Sequence, residues 1–265
     1  MSLVLLAITS MGALSAFFAI MLSVAHNKFK VEEDPRVERI LAELPGANCG
    51  ACGFASCRAL AEAIVKEGAP TNACVAGGNK VAEKISQIMG VESEAVERKV
   101  AFVRCGAGKS QKETKATYRG VETCRAANLV MGADSACSYG CLGFGDCERE
   151  CPFNAIKMVD GLPQVDFSRC TGCGRCVNVC PRNIIVLEKF DDVNYRVKCL
   201  SLDKGKKARE ICQKSCIACG RCVKFCPYEA CWLENNLAHI DPINCQSCGI
   251  CYSVCPTGAI VEVKG

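Results

Sequence analysis

The chain opens on its longest apolar run. Residues 1–25, MSLVLLAITSMGALSAFFAIMLSVA, contain no Asp, Glu, Lys or Arg. As a helix rising ~1.5 Å per residue, this run crosses a hydrocarbon core of ~30 Å. A secretory signal would begin with a basic stretch, whereas here the first lysines, Lys28 and Lys30, follow the run. The pattern therefore predicts an uncleaved transmembrane anchor over 1–26. Counting only Lys and Arg, and setting aside nearby Glu32, Glu33 and Asp34, the basic flank predicts a single pass through the cytoplasmic (inner) membrane, with the N-terminus outside and the remainder in the cytoplasm. No ionisable residue lies within residues 1–25, so the anchor offers no ion path.

After the anchor the periodicity becomes amphipathic. DPRVERILAELPG predicts a helix with Asp34 as N-cap, Pro35 in the first turn, and Val37, Ile40, Leu41 and Leu44 on one face. A second helix is predicted from about Arg58 to Glu67, stopped by Gly68. These elements define a helical unit over 27–90. Two tandem units with upstream segments follow, 91–190 and 191–265. His239, in LAHIDP, falls in a predicted hairpin strand and reads as structural, and Trp232 reads as packing.

Cysteine changes this picture most, with 25 in 265 residues. Such density means disulfides in a secreted chain and metal in a cytoplasmic one. The spacing favours metal, since two-residue gaps and Cys-Pro endings recur. With only two histidines present, the ligands are thiolates, which suit iron–sulfur clusters or zinc and argue against haem or carboxylate-bound iron.

Cys49, Cys52, Cys57 and Cys74 supply four thiolates, enough for one [4Fe–4S] cluster, among small residues Gly50, Ala51, Gly53 and Ala55. A zinc knuckle is the alternative, although zinc sites usually pair two cysteine dyads. Farther on, CTGCGRCVNVCP (Cys170, Cys173, Cys176, Cys180), CIACGRCVKFCP (Cys216, Cys219, Cys222, Cys226) and CQSCGICYSVCP (Cys245, Cys248, Cys251, Cys255) share one spacing. This is the bacterial ferredoxin run, in which three cysteines hold one cube and the fourth reaches across to a second.

SACSYGCLGFGDCERECP stands where a first half-motif belongs, because Cys151 precedes Cys170 by the same interval that Cys226 precedes Cys245. Counted from Cys137, it reads as a motif with four extra residues looped out at Gly140, Gly143 and Gly145. Its alternative is a lost cluster. Spacing then predicts five [4Fe–4S] clusters: Cys49, Cys52, Cys57, Cys74; Cys137, Cys141, Cys147, Cys180; Cys151, Cys170, Cys173, Cys176; Cys216, Cys219, Cys222, Cys255; and Cys226, Cys245, Cys248, Cys251. Cys105, Cys124, Cys199, Cys212 and Cys231 are left over; Cys105 pairs by position with Cys199 and Cys124 with Cys212. They read as buried structural thiols or as groups adjusting a nearby cluster.

Other signals are weak. GAGKS (Gly106–Ser110) lacks the first glycine of a P-loop, and KSQKETKATYRG reads as a solvated loop. No GxGxxG follows a strand, so no dinucleotide or flavin site is indicated. The formal charge is +4, but an oxidised four-thiolate cube carries about −2, so five bring the loaded chain to about −6. A basic dock for an acidic partner must then be local; Lys204, Lys206, Lys207 and Arg209 are one candidate, an ordinary solvated loop the other reading.

The apolar N-terminal helix, LPGANCGACGFASC with Cys74, YGCLGFGDCERECPFNAI, VKCLSLDKG and the second ferredoxin unit together resemble the RnfB/RsxB family over essentially the whole chain. Its members are subunits of the Rnf complex, a membrane-bound ion-translocating ferredoxin:NAD oxidoreductase, and of the related Rsx complex. The sequence departs at ACVAGG, where the family tends to place a proline before the paired glycines. The resemblance implies an α+β architecture: one transmembrane helix, a small helical [4Fe–4S] domain and two tandem bacterial-type dicluster ferredoxin-like units. It also implies an electron-transfer subunit of an oxidoreductase and translocase, without catalytic residues of its own, that exchanges electrons with soluble ferredoxin and relays them to other membrane and peripheral subunits. Flavin, NAD binding and the ion path would belong to those subunits. The competing readings are a polyferredoxin partner of a hydrogenase or formate dehydrogenase, and a zinc-dependent interaction or nucleic-acid module; the expectation is no nucleic-acid partner.

Overall fold

The apolar run forms one continuous helix, α1 (Ser2–Phe29), in a computed structural model that describes residues 2–29, 34–95, 97–190 and 194–263. Lys30, Glu32 and Glu33, used above to orient the anchor, lie outside the described residues. Within α1, Leu5–Ala25 has a mean hydropathy of 2.1 and the length to cross a membrane. Its large side chains, Leu6, Met11 and Leu22 among them, stay exposed instead of joining a core, as a lipid-facing helix requires.

Three helices build the next unit. In α2 (Pro35–Glu43) the Asp34 carboxylate accepts the Arg36 N–H at 2.9 Å, the expected N-cap. α3 (Cys57–Lys66) starts on Ser56, whose hydroxyl accepts the Ala59 N–H, and α4 (Gly78–Met89) ends on left-handed Gly90. Their apolar faces meet in a core of Val37, Ile40, Leu60, Ile64 and Ile85, and Cys74 is buried in the same core.

The remaining chain repeats one plan twice. In the first instance the hairpin β2 (Ile156–Val159) and β3 (Leu162–Val165) turns on Asp160 and Gly161, both at positive φ, as a two-residue turn requires. An outer antiparallel pair, β1 (Lys99–Val103) with β4 (Ile185–Lys189), brackets it in register Lys99↔Lys189 to Val103↔Ile185. In the second instance the hairpin β6 (Cys231–Glu234) and β7 (Leu237–Ile240) turns on Asn235 and Asn236, and β5 (Tyr195–Val197) pairs with β8 (Ile260–Glu262). Short helices fill the loops: α5 (Cys124–Leu129), α6 (Asp146–Arg149), α7 (Arg175–Val179), α8 (Gly205–Ile211), α9 (Arg221–Lys224) and α10 (Ile250–Ser253).

Both cores mix aliphatic and cysteine side chains: Val103, Ile156 and Ile185 with Cys141, Cys147 and Cys176; Val197, Leu237 and Ile260 with Cys216, Cys222 and Cys251. Leu200 packs against both. Around it, Glu113 N–H donates to the Ile211 carbonyl at 2.9 Å and Gln213 N–H to the Gln111 carbonyl at 3.1 Å. The segment read as a solvated loop is therefore partly structural. Lys112 lays its stem along the protein and donates Nζ to the Cys141 carbonyl at 2.9 Å, because a long side chain can pack its methylenes while its ammonium finds an acceptor. His239 sits in β7 as expected, stacked on Trp232 with ring centroids 5.2 Å apart, and Trp232 is 42% exposed, so this pair packs at the surface.

Ile40 is fully buried, so Ile40→Ala should cost the helical unit about 2–5 kcal/mol. Limited proteolysis should then show faster cleavage within residues 34–90 while the region beyond residue 97 keeps its wild-type rate.

Candidate iron–sulfur centres

The N-terminal site follows directly from local backbone. Asn48, Gly50 and Gly53 take positive φ and curl the loop carrying Cys49 and Cys52, and Asn48 Oδ1 accepts the Cys57 N–H at 2.8 Å where α3 begins. Cys49, Cys52, Cys57 and Cys74 line one cavity of about 340 Å³. Burial, and to a lesser degree the other three thiols, raise the Cys74 pKa.

The tight motifs share a backbone rule. Four residues and two residues before the third cysteine the chain is left-handed: Gly172 and Gly174 before Cys176, Ala218 and Gly220 before Cys222, Ser247 and Gly249 before Cys251. The second position is always glycine and opens α7, α9 or α10. Cys216, Cys219, Cys222 and Cys255 line a cavity of about 360 Å³, the crossing pattern expected of paired cubes. Cys176 lies within electrostatic reach of Cys170, Cys173 and Cys151, and Cys245 of Cys251, Cys248 and Cys226.

The same rule places the stretched motif differently from its sequence reading. Gly143 and Gly145 are left-handed, four and two residues before Cys147, and Gly145 opens α6. Cys141 to Cys151 thus runs in register with Cys216 to Cys226, without an insertion, and Phe144 stands where the middle cysteine would be. A thiol from a distant segment comes close instead. Cys124, at the start of α5, lines a cavity of about 340 Å³ with Cys141, Cys147 and Cys180. Phe144 packs edge-on against Tyr118 at 5.5 Å, in the segment leading to Cys124. Cys137 does not join this group; it lines a separate cavity with Cys105, Cys199 and Cys212. Its positional counterpart is Cys212, each lying four residues before the first cysteine of its motif, so the pairing of Cys124 with Cys212 is corrected as well.

The donor set fits cubes better than single ions. All 25 thiols are free, and among the described residues no three His, Cys, Asp or Glu side chains converge on one possible metal ion. Tetrahedral zinc at about 2.3 Å from each sulfur would need such convergence. A four-iron cube spreads its thiolates, each on a different iron, around a cavity such as those described. Burial pushes the pKa values of Cys141, Cys147 and Cys176 up to about 12, so these groups stay protonated thiols unless a metal cation lies beside them. Backbone N–H groups already point at sulfur: Ala101 to Cys170 Sγ at 3.4 Å and Ala155 to Cys151 Sγ at 3.3 Å.

Neighbouring sets lie close together: Cys49 lines a cleft with Arg175 and Asn178, and Cys147 and Cys176 share one core. Cys231, outside every set, lies within hydrogen-bonding reach of Cys251, which raises the Cys231 pKa and lowers that of Cys251. Cys231 is therefore a thiol donor to a ligand sulfur.

The family model described as a putative Fe–S cluster matches residues 44–76, and the 4Fe–4S dicluster domain model matches 136–184, 169–230 and 215–259. Three relatives match nearly the whole chain, each being the subunit designated B of its complex. The chain is 43% identical over 258 residues to that of the Na(+)-translocating ferredoxin:NAD(+) oxidoreductase complex of Acetobacterium woodii, covering 97% of this chain and 77% of that one. It is 41% identical to that of the ion-translocating oxidoreductase complex of Methanosarcina acetivorans, covering 98% of each. It is 42% identical to that of the proton-translocating ferredoxin:NAD(+) oxidoreductase complex of Clostridium ljungdahlii, covering 98% and 93%.

Replacing Cys231 by Ala removes a hydrogen bond to a ligand sulfur without removing a ligand. Iron content should be unchanged, and one cluster potential should fall by roughly 40 mV, about 1 kcal/mol for one electron, in an EPR-monitored redox titration.

Proposed function

The chain belongs to the RnfB family of ion-translocating oxidoreductase complex subunits, and on that footing we propose that it exchanges electrons with a soluble ferredoxin and relays them along a row of [4Fe–4S] clusters to its partner subunits. It is an electron-transfer subunit of an oxidoreductase complex. Five clusters are proposed at the cysteine sets above, with Cys124 in place of Cys137. Each cube, when bound, takes up and releases one electron with little structural change.

The observation that carries this reading is the continuity of the thiol sets. Cys49 lines a cleft with Arg175 and Asn178 of the first ferredoxin-like unit, and Cys176 shares one core with Cys147. The residues around the sets hold sulfur: left-handed glycines bring backbone close, N–H groups aim at sulfur, and in the first ferredoxin-like unit aliphatic side chains pack against the thiols. The N-terminal set is tied to the membrane by chain length. Only about 20 Å of extended backbone can separate the end of α1 at Phe29 from α2 at Pro35. This set is thus proposed to face the membrane subunits, with the units 91–190 and 191–265 extending into the cytoplasm and the N-terminus of α1 outside. The relatives named for sodium-translocating and proton-translocating complexes match nearly the whole chain, which supports placing the choice of ion in other subunits.

For the soluble partner, Lys204, Lys206, Lys207 and Arg209 are exposed on and beside α8, with Lys207 paired to Asp203 at 2.7 Å. They form the proposed dock for an acidic ferredoxin. Ferredoxin reduced beforehand and mixed anaerobically with the oxidised full chain in detergent should bleach its visible absorbance by several electrons per chain. Higher salt, or reversal of the Lys204 and Lys206 charges to Glu, should slow the bleaching several-fold. A chain that dithionite bleaches but reduced ferredoxin does not would contradict the proposal.

A further inference from the structure

The cavity lined by Cys105, Cys137, Cys199 and Cys212 measures about 390 Å³, similar to the three described above at about 340, 340 and 360 Å³. The geometry points to a sixth [4Fe–4S] site in it, held by those four cysteines at the junction of the two ferredoxin-like units. This inference rests on the cluster reading above and extends it.

Its symmetry is that of the duplication. Cys105 lies two residues beyond the end of β1 and Cys199 two residues beyond the end of β5. Cys137 and Cys212 each precede the first cysteine of the following motif by four residues. Each unit therefore contributes one strand-end thiol and one pre-motif thiol, and neither has a complete set alone. Unit one differs by the long excursion between its two thiols, which carries Cys124 to the neighbouring cavity. Counted this way, six sets of four use 24 cysteines, and only Cys231 is outside them.

The cavity has the features of the better-marked sites. Sulfurs accept backbone N–H groups: Cys141 N–H to Cys105 Sγ at 3.5 Å and Ser201 N–H to Cys199 Sγ at 3.4 Å. Gly140 leaves room, since a Cβ there would come within 3.2 Å of Cys137 Sγ and 3.7 Å of Cys105 Sγ. The wall is cationic. Arg104, Lys112, Lys198 and Lys214 line it, and no carboxylate does among the described residues. Lys112 donates to the Cys141 carbonyl and Lys198 lies over the Phe102 ring, but neither contact supplies a counter-charge; a four-thiolate cube, carrying about −2, would.

Position supplies the functional argument. Cys105 accepts the N–H of Cys141, a member of the preceding set, and Cys199 shares one core with Cys216, a member of the following one. A cube here would take one electron from either neighbour and pass it to the other, linking the two units into one conductor.

Iron and acid-labile sulfide per chain decide the matter on anaerobically purified full-length protein in detergent. Six cubes give about 24 of each, and about 20 of each would overturn the inference. Cys199→Ala and Cys137→Ala should each lose about four irons and leave the other EPR signals in place, and so should Cys124→Ala, which belongs to the adjacent cube. Unchanged iron in Cys199→Ala and Cys137→Ala would also overturn it. If a substitution unfolds the chain, the wild-type stoichiometry still decides. A count near 20 with ferredoxin-dependent bleaching intact contradicts only the sixth site; little iron and bound zinc would contradict the electron-transfer reading as well.

Discussion

Burying a thiolate is unfavourable unless a cation compensates it, and this chain gathers thiols in groups of four, each with at least one thiol buried. Much of the architecture follows from that constraint. Strands of three to five residues in two-stranded sheets would be marginal by themselves. Their cores contain as many cysteines as large aliphatic side chains, so ligation to iron is part of what closes them. Folding and cofactor loading are one process in such a chain, as in other small metal domains. The three-helix unit differs: its aliphatic core of Ile40, Leu60, Ile64 and Ile85 packs beside its cluster site rather than through it.

The same constraint explains the glycines. A cube must be approached by backbone from several sides, and the left-handed pair before each third cysteine turns the chain around it. Where the side chain at the first of these positions is tolerated, as at Ala218 and Ser247, the cost of positive φ is accepted; at the second position, glycine is used in every copy. Packing also brings ligand loops of different sets together: Cys147 and Cys176 share one core, and Cys105 Sγ accepts the N–H of Cys141.

Much of this was legible in the sequence. The anchor, the Asp34-capped helix, the Cys49 site and the three tight motifs follow from spacing and periodicity, because each is a local pattern. What escaped was non-local. Counting the stretched motif from Cys137 gave an insertion; the backbone takes its register from Gly143 and Gly145, and CLGFGDCEREC matches CIACGRCVKFC from Cys141 onward. That match could have been found, but Phe144 at the middle position hid it. Nothing local marks Cys124 as the replacement, since an excursion of the chain returns it to Cys141. Likewise Cys105 and Cys199 have no motif around them, and Lys112 looked solvated because its acceptor, the Cys141 carbonyl, lies 29 residues away.

The central claim is that the thiol sets form one continuous conductor. Continuous-wave EPR of the fully reduced full-length chain, recorded anaerobically in detergent, tests it most directly. Closely spaced reduced cubes should give broad, spin-coupled spectra that relax fast and resist power saturation. A sum of narrow signals that saturate independently would mean isolated centres, and would contradict the account.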